Sequence, residues 1–262
     1  MADILQQIML HKRTEVAVAR TRVSEAELHR QIRVAPPVRN FAAALRRHYP
    51  MGLIAEVKRA SPSAGLIREN FSCTEIAQTY AENGAACLSV LTDEKYFQGH
   101  LDYLRRIRAV VDIPLLRKDF ILDQYQIIEA RAAGADCVLL IAECLDDAQL
   151  ADLYQTATGL GMQALVELHD AVNLERVLRL DPLMLGVNNR DLKVMKTNLQ
   201  HCIDLRSQVP DSVLFVGESG IHAREHVERL IAGNVQAMLV GETLMKSPDI
   251  GAKVRELLGR LP

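Results

Sequence analysis

The sequence predicts a (β/α)8 TIM barrel preceded by a helical N-terminal extension. Three observations predict it. Eight short apolar runs rich in β-branched residues lie between Leu53 and Val240, each followed by a polar loop and an amphipathic stretch. The runs are continuously apolar rather than alternating, as expected of parallel strands buried on both faces. Eight strand–helix units within 262 residues match the size of such a barrel. An open doubly wound sheet competes, but it favours a GxGxxG turn after its first strand, and the turn here reads Ser61-Pro62-Ser63-Ala64-Gly65. The expected organisation is one barrel domain over residues 1–262, with residues 1–50 as the extension.

The elements follow in order. Ile4, Leu5, Ile8, Met9 and Val16 recur at helical spacing and predict an amphipathic helix to about Arg20. Ser24 followed by Glu27 is a capping-box pattern for a second helix, which Pro36-Pro37 stops. Residues Phe41–Arg47 form a third helical piece, and with no strand the extension reads as an appendage that packs on something else. Strands are expected at Leu53–Val57, Cys87–Leu91, Ile113–Leu116, Cys137–Ile141, Ala164–Leu168, Met184–Val187, Val213–Val216 and Val235–Val240. Helices are expected at Thr74–Glu82, Leu101–Val110, Tyr125–Ala133, Asp147–Thr158, Ala171–Arg179, Leu199–Val209, Arg224–Ile231 and Ile250–Leu258. Gly84, Gly134 and Gly233 stand where helices end, as left-handed caps require.

Composition narrows the function. Net charge is −2, from 31 basic and 33 acidic residues that interleave, which argues against nucleic acid or a membrane surface held by bulk charge. No apolar run approaches the roughly 20 residues of a membrane span. Met1–Arg20 carries charge throughout and lacks the apolar centre of a secretion signal. The five cysteines form no CxxC pair and fit reduced, packed thiols in the cytoplasm.

Reacting groups in such barrels sit where strands end. Glu56 and Lys58 are two apart and share a face at the first strand end. Later strand ends supply Asp93, Arg117-Lys118-Asp119, Glu143, Glu167, Asn188-Asn189-Arg190-Asp191 and Glu218. Any one is more often a salt bridge than a catalyst; all of them at one mouth exceed what folding requires. The loops holding Ser219-Gly220 and Gly241 lie after strands seven and eight, the usual phosphate site of this fold, and Ser61 can add a hydroxyl. The residues alone thus point to a barrel enzyme acting on a phosphorylated small molecule through lysines and glutamates. His222-Ala223-Arg224-Glu225-His226 matches the HxxEH zinc pattern, but no third ligand is assignable and a solvated helix start is the plainer reading.

The order Ile54-Ala55-Glu56-Val57-Lys58-Arg59-Ala60-Ser61-Pro62-Ser63, Leu116-Arg117-Lys118-Asp119-Phe120, Val166-Glu167, Asn188-Asn189-Arg190-Asp191-Leu192 and Glu218-Ser219-Gly220-Ile221 closely resembles the indole-3-glycerol phosphate synthase family. The resemblance covers almost the whole chain, including Ile8, Lys12-Arg13 and Glu15-Val16 of the extension. It implies conversion of 1-(2-carboxyphenylamino)-1-deoxyribulose 5-phosphate to indole-3-glycerol phosphate, with release of CO2 and water and without metal or organic cofactor. It also implies a monomer in the cytoplasm, weakly associated with other tryptophan-pathway enzymes. Carried over by residue, Lys118 is the general acid, Glu167 the acid/base of the dehydration, and Lys58 a substrate contact and source of a second proton. Glu56 and Asn188 orient these groups, with Arg190 nearby. Ser61, Ser219, Gly220 and Gly241 bind phosphate, Phe97 and Phe120 line the anthranilate pocket, and Glu218 has a less defined role. Glu242 stands where the family often has a small hydroxyl residue, and is left out because its carboxylate must point away from a phosphate. Glu56 is expected to pair with Lys118 across the mouth. Phosphoribosylanthranilate isomerase is a rival, but its Cys/Asp pair is replaced by Glu56 and Glu167. A zinc peptidase built on His222 and His226 and a non-catalytic phosphosugar-binding barrel also compete.

Overall fold

In the computed structural model, residues 4–191 and 196–260 are described; Leu192, the end of the Asn188–Leu192 motif, lies outside them. Eight parallel strands close into a barrel: β1 (Gly52–Val57), β2 (Cys87–Leu91), β3 (Leu115–Lys118), β4 (Cys137–Ile141), β5 (Gln163–Leu168), β6 (Met184–Asn188), β7 (Leu214–Glu218) and β8 (Ala237–Val240). The seam is β1 on β8, with Leu53 opposite Met238 and Ile54 opposite Leu239. The strands are almost wholly buried, as their unbroken apolar runs require.

Strand three differs from its expected span by two residues at each end. Pro114 lacks an N–H and stands just before the strand. At the other end, charge made Arg117 and Lys118 look like loop. Arg117 is in fact buried against Thr92 Oγ1 at 3.1 Å, the Gln126 carbonyl at 2.8 Å and Glu129 at 2.9 Å, so the strand tolerates it. The glycine caps also need one correction. Gly84 and Gly134 take positive φ, whereas after the helix Arg224–Ala232 it is Asn234, with φ 57°, that turns left-handed, and not Gly233.

The extension forms α1 (Ile4–Arg22), α2 (Glu25–Val34) and α3 (Phe41–Arg46). Ser24 caps α2 by accepting from Glu27 N at 3.2 Å, but the Glu27 carboxylate bonds Arg30, so the capping box is half made. The extension runs the length of the barrel. At the bottom, Phe41, Ala42 and Leu45 pack with the inward-facing Ile54, Leu116, Leu165 and Leu214 and plug the interior. Polar bonds fix the plug: Ala42 N donates to Gln163 at 2.8 Å and Arg39 N to Asp136 at 2.7 Å. Midway, Val16 and Leu28 pack on Tyr125 and Ile128 of the helix Gln124–Ala132. At the top, Ile4, Leu5 and Ile8 of α1 overhang the mouth.

Candidate active site

Strand alternation aims Glu56 and Lys58 to one side, and they pair with each other at 2.7 Å. The expected Glu56–Lys118 pair is not formed. Because β3 runs on to Lys118, its amine reaches carboxylates that end strands farther round the barrel: Glu167 at 2.5 Å and Glu218 at 3.3 Å. Asn188 donates to the other oxygen of Glu167 at 3.0 Å and accepts from Arg190 N at 3.0 Å, linking the acid–base cluster to the sixth loop.

The two glutamates lie against each other and titrate apart. Burial opposes ionisation of Glu167, but the Lys118 charge and the Asn188 donor outweigh it and hold the carboxyl below the usual range. Burial and the neighbouring Glu167 charge push Glu218 well above that range, and one of its oxygens is buried without a hydrogen-bond partner. The arrangement therefore keeps Lys118 charged, Glu167 ionised and Glu218 protonated near neutrality. Burial would lower the Lys118 pKa, yet Glu167, Glu218 and Glu56 together raise it. Environments that separate like groups in this way mark acid/base assignments.

These groups form the floor of a cavity of about 170 Å³. Every residue assigned from the sequence lines it: Glu56, Lys58, Ser61, Phe97, Lys118, Phe120, Glu167, Asn188, Arg190, Glu218, Ser219, Gly220 and Gly241. Two of its walls differ in chemistry. Phe97 and Phe120, with ring centroids 6.1 Å apart and planes tilted by 38°, line an apolar slot suited to an aromatic ring. Opposite in character, Ser219 and Gly220 both take left-handed φ, 65° and 77°, a tight polar turn whose backbone an anion can approach closely. Gly241 caps the short helix Glu242–Lys246, whose first N–H groups have no intrahelical partner. A side chain at Gly241 would come within 2.1 Å of the Glu56 carboxylate, so this glycine also makes room for the acid–base cluster.

The chain matches the sequence profile described as indole-3-glycerol phosphate synthase over residues 5–257. It belongs to the indole-3-glycerol phosphate synthase family. The Roseiflexus castenholzii indole-3-glycerol phosphate synthase is 51% identical over 269 residues, covering 100% of each chain. That of Rhodopirellula baltica is 50% identical over 255 residues, covering 97% of this chain and 98% of its own. A crystal structure of 3-hexulose-6-phosphate synthase superposes with TM-score 0.66 at 15% identity, covering 81% of this chain and 100% of that one, a likeness of fold alone.

Several cavity residues of this synthase-family chain were not assigned from sequence. Ile4, Leu5 and Ile8 roof the cavity; their apolar stripe on an otherwise charged helix was the available signal. Ser63 accepts from Arg190 at 2.8 Å, tying the first loop to the sixth. Glu242 does line the cavity, and its carboxylate is held by Arg190 at 3.1 Å and Lys246 at 2.7 Å. Glu143 is a clamp instead: one oxygen accepts from His169 N, Asp170 N and Asn173, each at 2.9 Å. The HxxEH pair is likewise structural. Thr243 donates to the Ile221 carbonyl at 2.7 Å, so His222 Nδ1, 2.9 Å away, must donate to Thr243 and bridge the last two loops. His226 Nδ1 accepts from His222 N at 3.1 Å, and no group of three or more potential ligands gathers among the described residues.

Proposed function

We infer that the cavity closes an indole ring. The reaction converts 1-(2-carboxyphenylamino)-1-deoxyribulose 5-phosphate to indole-3-glycerol phosphate, CO2 and water. The observation that carries the reading is a lysine amine 2.5 and 3.3 Å from two buried glutamates, set between an aromatic slot and a polar glycine turn. The phosphate sits on Ser219, Gly220 and Gly241, with Arg190 and Ser61 beside it, and the anthranilate ring lies against Phe97 and Phe120. A substrate gripped at both ends folds its ribulose chain, bringing the carboxyl-bearing ring carbon onto the ketone carbon. Such orientation is worth about 7–11 kcal/mol in ideal cases.

As the ring carbon attacks, Lys118 protonates the ketone oxygen. Loss of CO2 then restores aromaticity and needs little help. In the dehydration, the new hydroxyl leaves as water with a proton from Lys58, and Glu167 takes the proton from the adjacent carbon. Glu56 holds Lys58 in place through their 2.7 Å ion pair, and Asn188 holds Glu167. Each placed proton transfer contributes about 10²–10⁴-fold. All five cysteines are free, four of them buried, which supports a reducing, cytoplasmic setting. Among the described residues no helix is long and apolar enough to cross a membrane.

The test is turnover of the carboxyphenylamino-deoxyribulose phosphate by the pure protein, followed by indole fluorescence. Product forms with the parent and falls by at least about 10²-fold in Lys118→Ala with the fold intact. A variant that keeps most of its kcat overturns the acid assignment.

A further inference from the structure

We propose that Lys12, on the roof helix, is a positioning residue for the general acid and for both walls of the aromatic slot. The proposal rests on the reading of Lys118, Phe97 and Phe120 given above. Lys12 is fully buried, and its amine meets Asp93 Oδ2 at 2.9 Å, Asp119 Oδ1 at 2.9 Å and Glu15 at 3.0 Å. Burial would lower its pKa, yet these carboxylates raise it, so the amine is a cation inside the protein.

The two aspartates have second contacts that lead into the site. Asp119 follows Lys118 directly, accepts from Phe120 N at 2.8 Å, and through its other oxygen holds Thr92 at 2.5 Å and Arg117 at 3.2 Å. It therefore fixes the backbone between the general acid and one ring wall. Asp93 accepts from Tyr96 N at 2.7 Å and caps the short helix Glu94–Phe97, which carries the other ring wall. Among the described residues Lys12 alone ion-pairs with both carboxylates, and it also belongs to α1, where Ile8, one turn earlier on the same face, roofs the cavity.

Docking alone does not call for this arrangement. An apolar side chain would dock α1 as well or better, because burying an ion pair rarely gains stability over a packed hydrophobe. The cation is required because Asp93 and Asp119 are already committed to the two walls, and each needs a counter-charge where it stands. The roof, the acid and the slot are thereby held in one register. Misplacement by about 1 Å at such a site can cost about 10²-fold in rate.

The experiment compares Lys12→Met with Val16→Ala. Val16 lies one turn farther along α1, packs on Leu28, Tyr125 and Ile128, and does not line the cavity. It therefore loosens the helix without touching the hub. Melting temperature, kcat, KM and the inhibition constant of inorganic phosphate are measured for both. Lys12→Met is expected to lose about 10- to 10²-fold in kcat/KM beyond the loss shown by Val16→Ala at an equal melting temperature. The inhibition constant for phosphate is expected to stay within about two-fold, because the phosphate loops lie outside the hub, and Lys12→Arg, which keeps the cation, recovers part of the loss. If the variants fall on one line of kcat/KM against melting temperature, Lys12 only docks the helix and the proposal fails. If Lys12→Met does not fold, Asp93→Asn carries the same comparison. Asparagine caps a helix as well as aspartate does, so that change removes only the charge facing Lys12. An active Lys118→Ala would refute the underlying reading separately, whatever the Lys12 series gives.

Discussion

Lys118→Arg and Lys118→Met separate the two jobs of one amine. Lys118 is 14% exposed and faces carboxylates that are 5% and 2% exposed. Methionine leaves two buried acids without their cation. Breaking such a contact typically costs about 3–5 kcal/mol. Most of that cost is pH-dependent, and its sign follows from Glu167. In the parent its pKa is held below the usual range, so Glu167 adds stability above the unfolded carboxylate pKa of about 4.3. Without Lys118, burial and the partner acid raise it, and stability then falls as pH climbs from about 4.3 toward the raised value. The methionine variant should therefore lose ground to the parent by up to about 1.4 kcal/mol per pH unit between pH 4.5 and 7. Arginine keeps the charge and removes the slope, but it does not give up a proton in this range. It should retain stability to within about 1 kcal/mol and still lose about 10²–10⁴-fold in kcat, roughly 2.7–5.5 kcal/mol of barrier. Denaturant titrations across pH and the indole assay read the two effects separately. An arginine variant with more than a tenth of the parental kcat refutes proton donation by Lys118. A methionine variant with a pH-independent stability deficit refutes the proton-sharing pair.

Other perturbations test other parts of the site. Glu242→Ser removes a negative charge that occupies Arg190 and Lys246 beside the phosphate loops; the inhibition constant of inorganic phosphate should fall about five-fold, near 1 kcal/mol, and an unchanged or weaker constant would place that carboxylate outside the anion's field. Phe41→Ala opens a cavity in the bottom plug and should cost about 3–5 kcal/mol of unfolding free energy while leaving kcat of the folded enzyme within about two-fold; a large loss of kcat at full stability would show that the plug reaches the mouth. Burial works against ionisation of Asp119, but Lys12, Arg117 and Thr92 outweigh it and hold its pKa down to about 2, so its contribution is present above about pH 3.9 and is lost as pH falls toward 2. Asp119→Asn should flatten that acid limb by about 2 kcal/mol, read as melting temperature against pH, and an unaltered limb would assign acid sensitivity elsewhere.

Most of the barrel and its site is legible in the sequence because both depend on local pattern. Unbroken apolar runs locate the strands, and the fold then dictates where reacting groups must sit, so Glu56, Lys58, Lys118, Glu167 and Glu218 emerge from strand ends alone. Pairing is less legible. Glu56 lies near two lysines, and only the true end of β3, hidden by the charge on Arg117 and Lys118, decides which lysine it meets. The roof was half visible: Ile8 and Lys12 sit on a readable helix, but their partners are remote in sequence and a buried lysine has no local signature. The protonation of Glu218 was not visible at all, because it arises from burial beside Glu167 and not from any motif.

The extension that plugs the bottom and roofs the top also sets a schedule. Its docking partners come late in the chain: Tyr125 meets Ala19 across 106 residues, Asp123 meets Arg20 across 103, and Asp136 meets Arg39 across 97. On a ribosome adding about 5–20 residues per second, α1 and α2 wait roughly 5–20 s before the helix they lie on exists. For that interval Val16 and Leu28 are exposed, and the barrel must then close around a plug made before its first strand. A segment synthesised ahead of the barrel's first strand is thus among the last to find its place, and the mouth gains its roof only after the strand that carries Lys118 has been made.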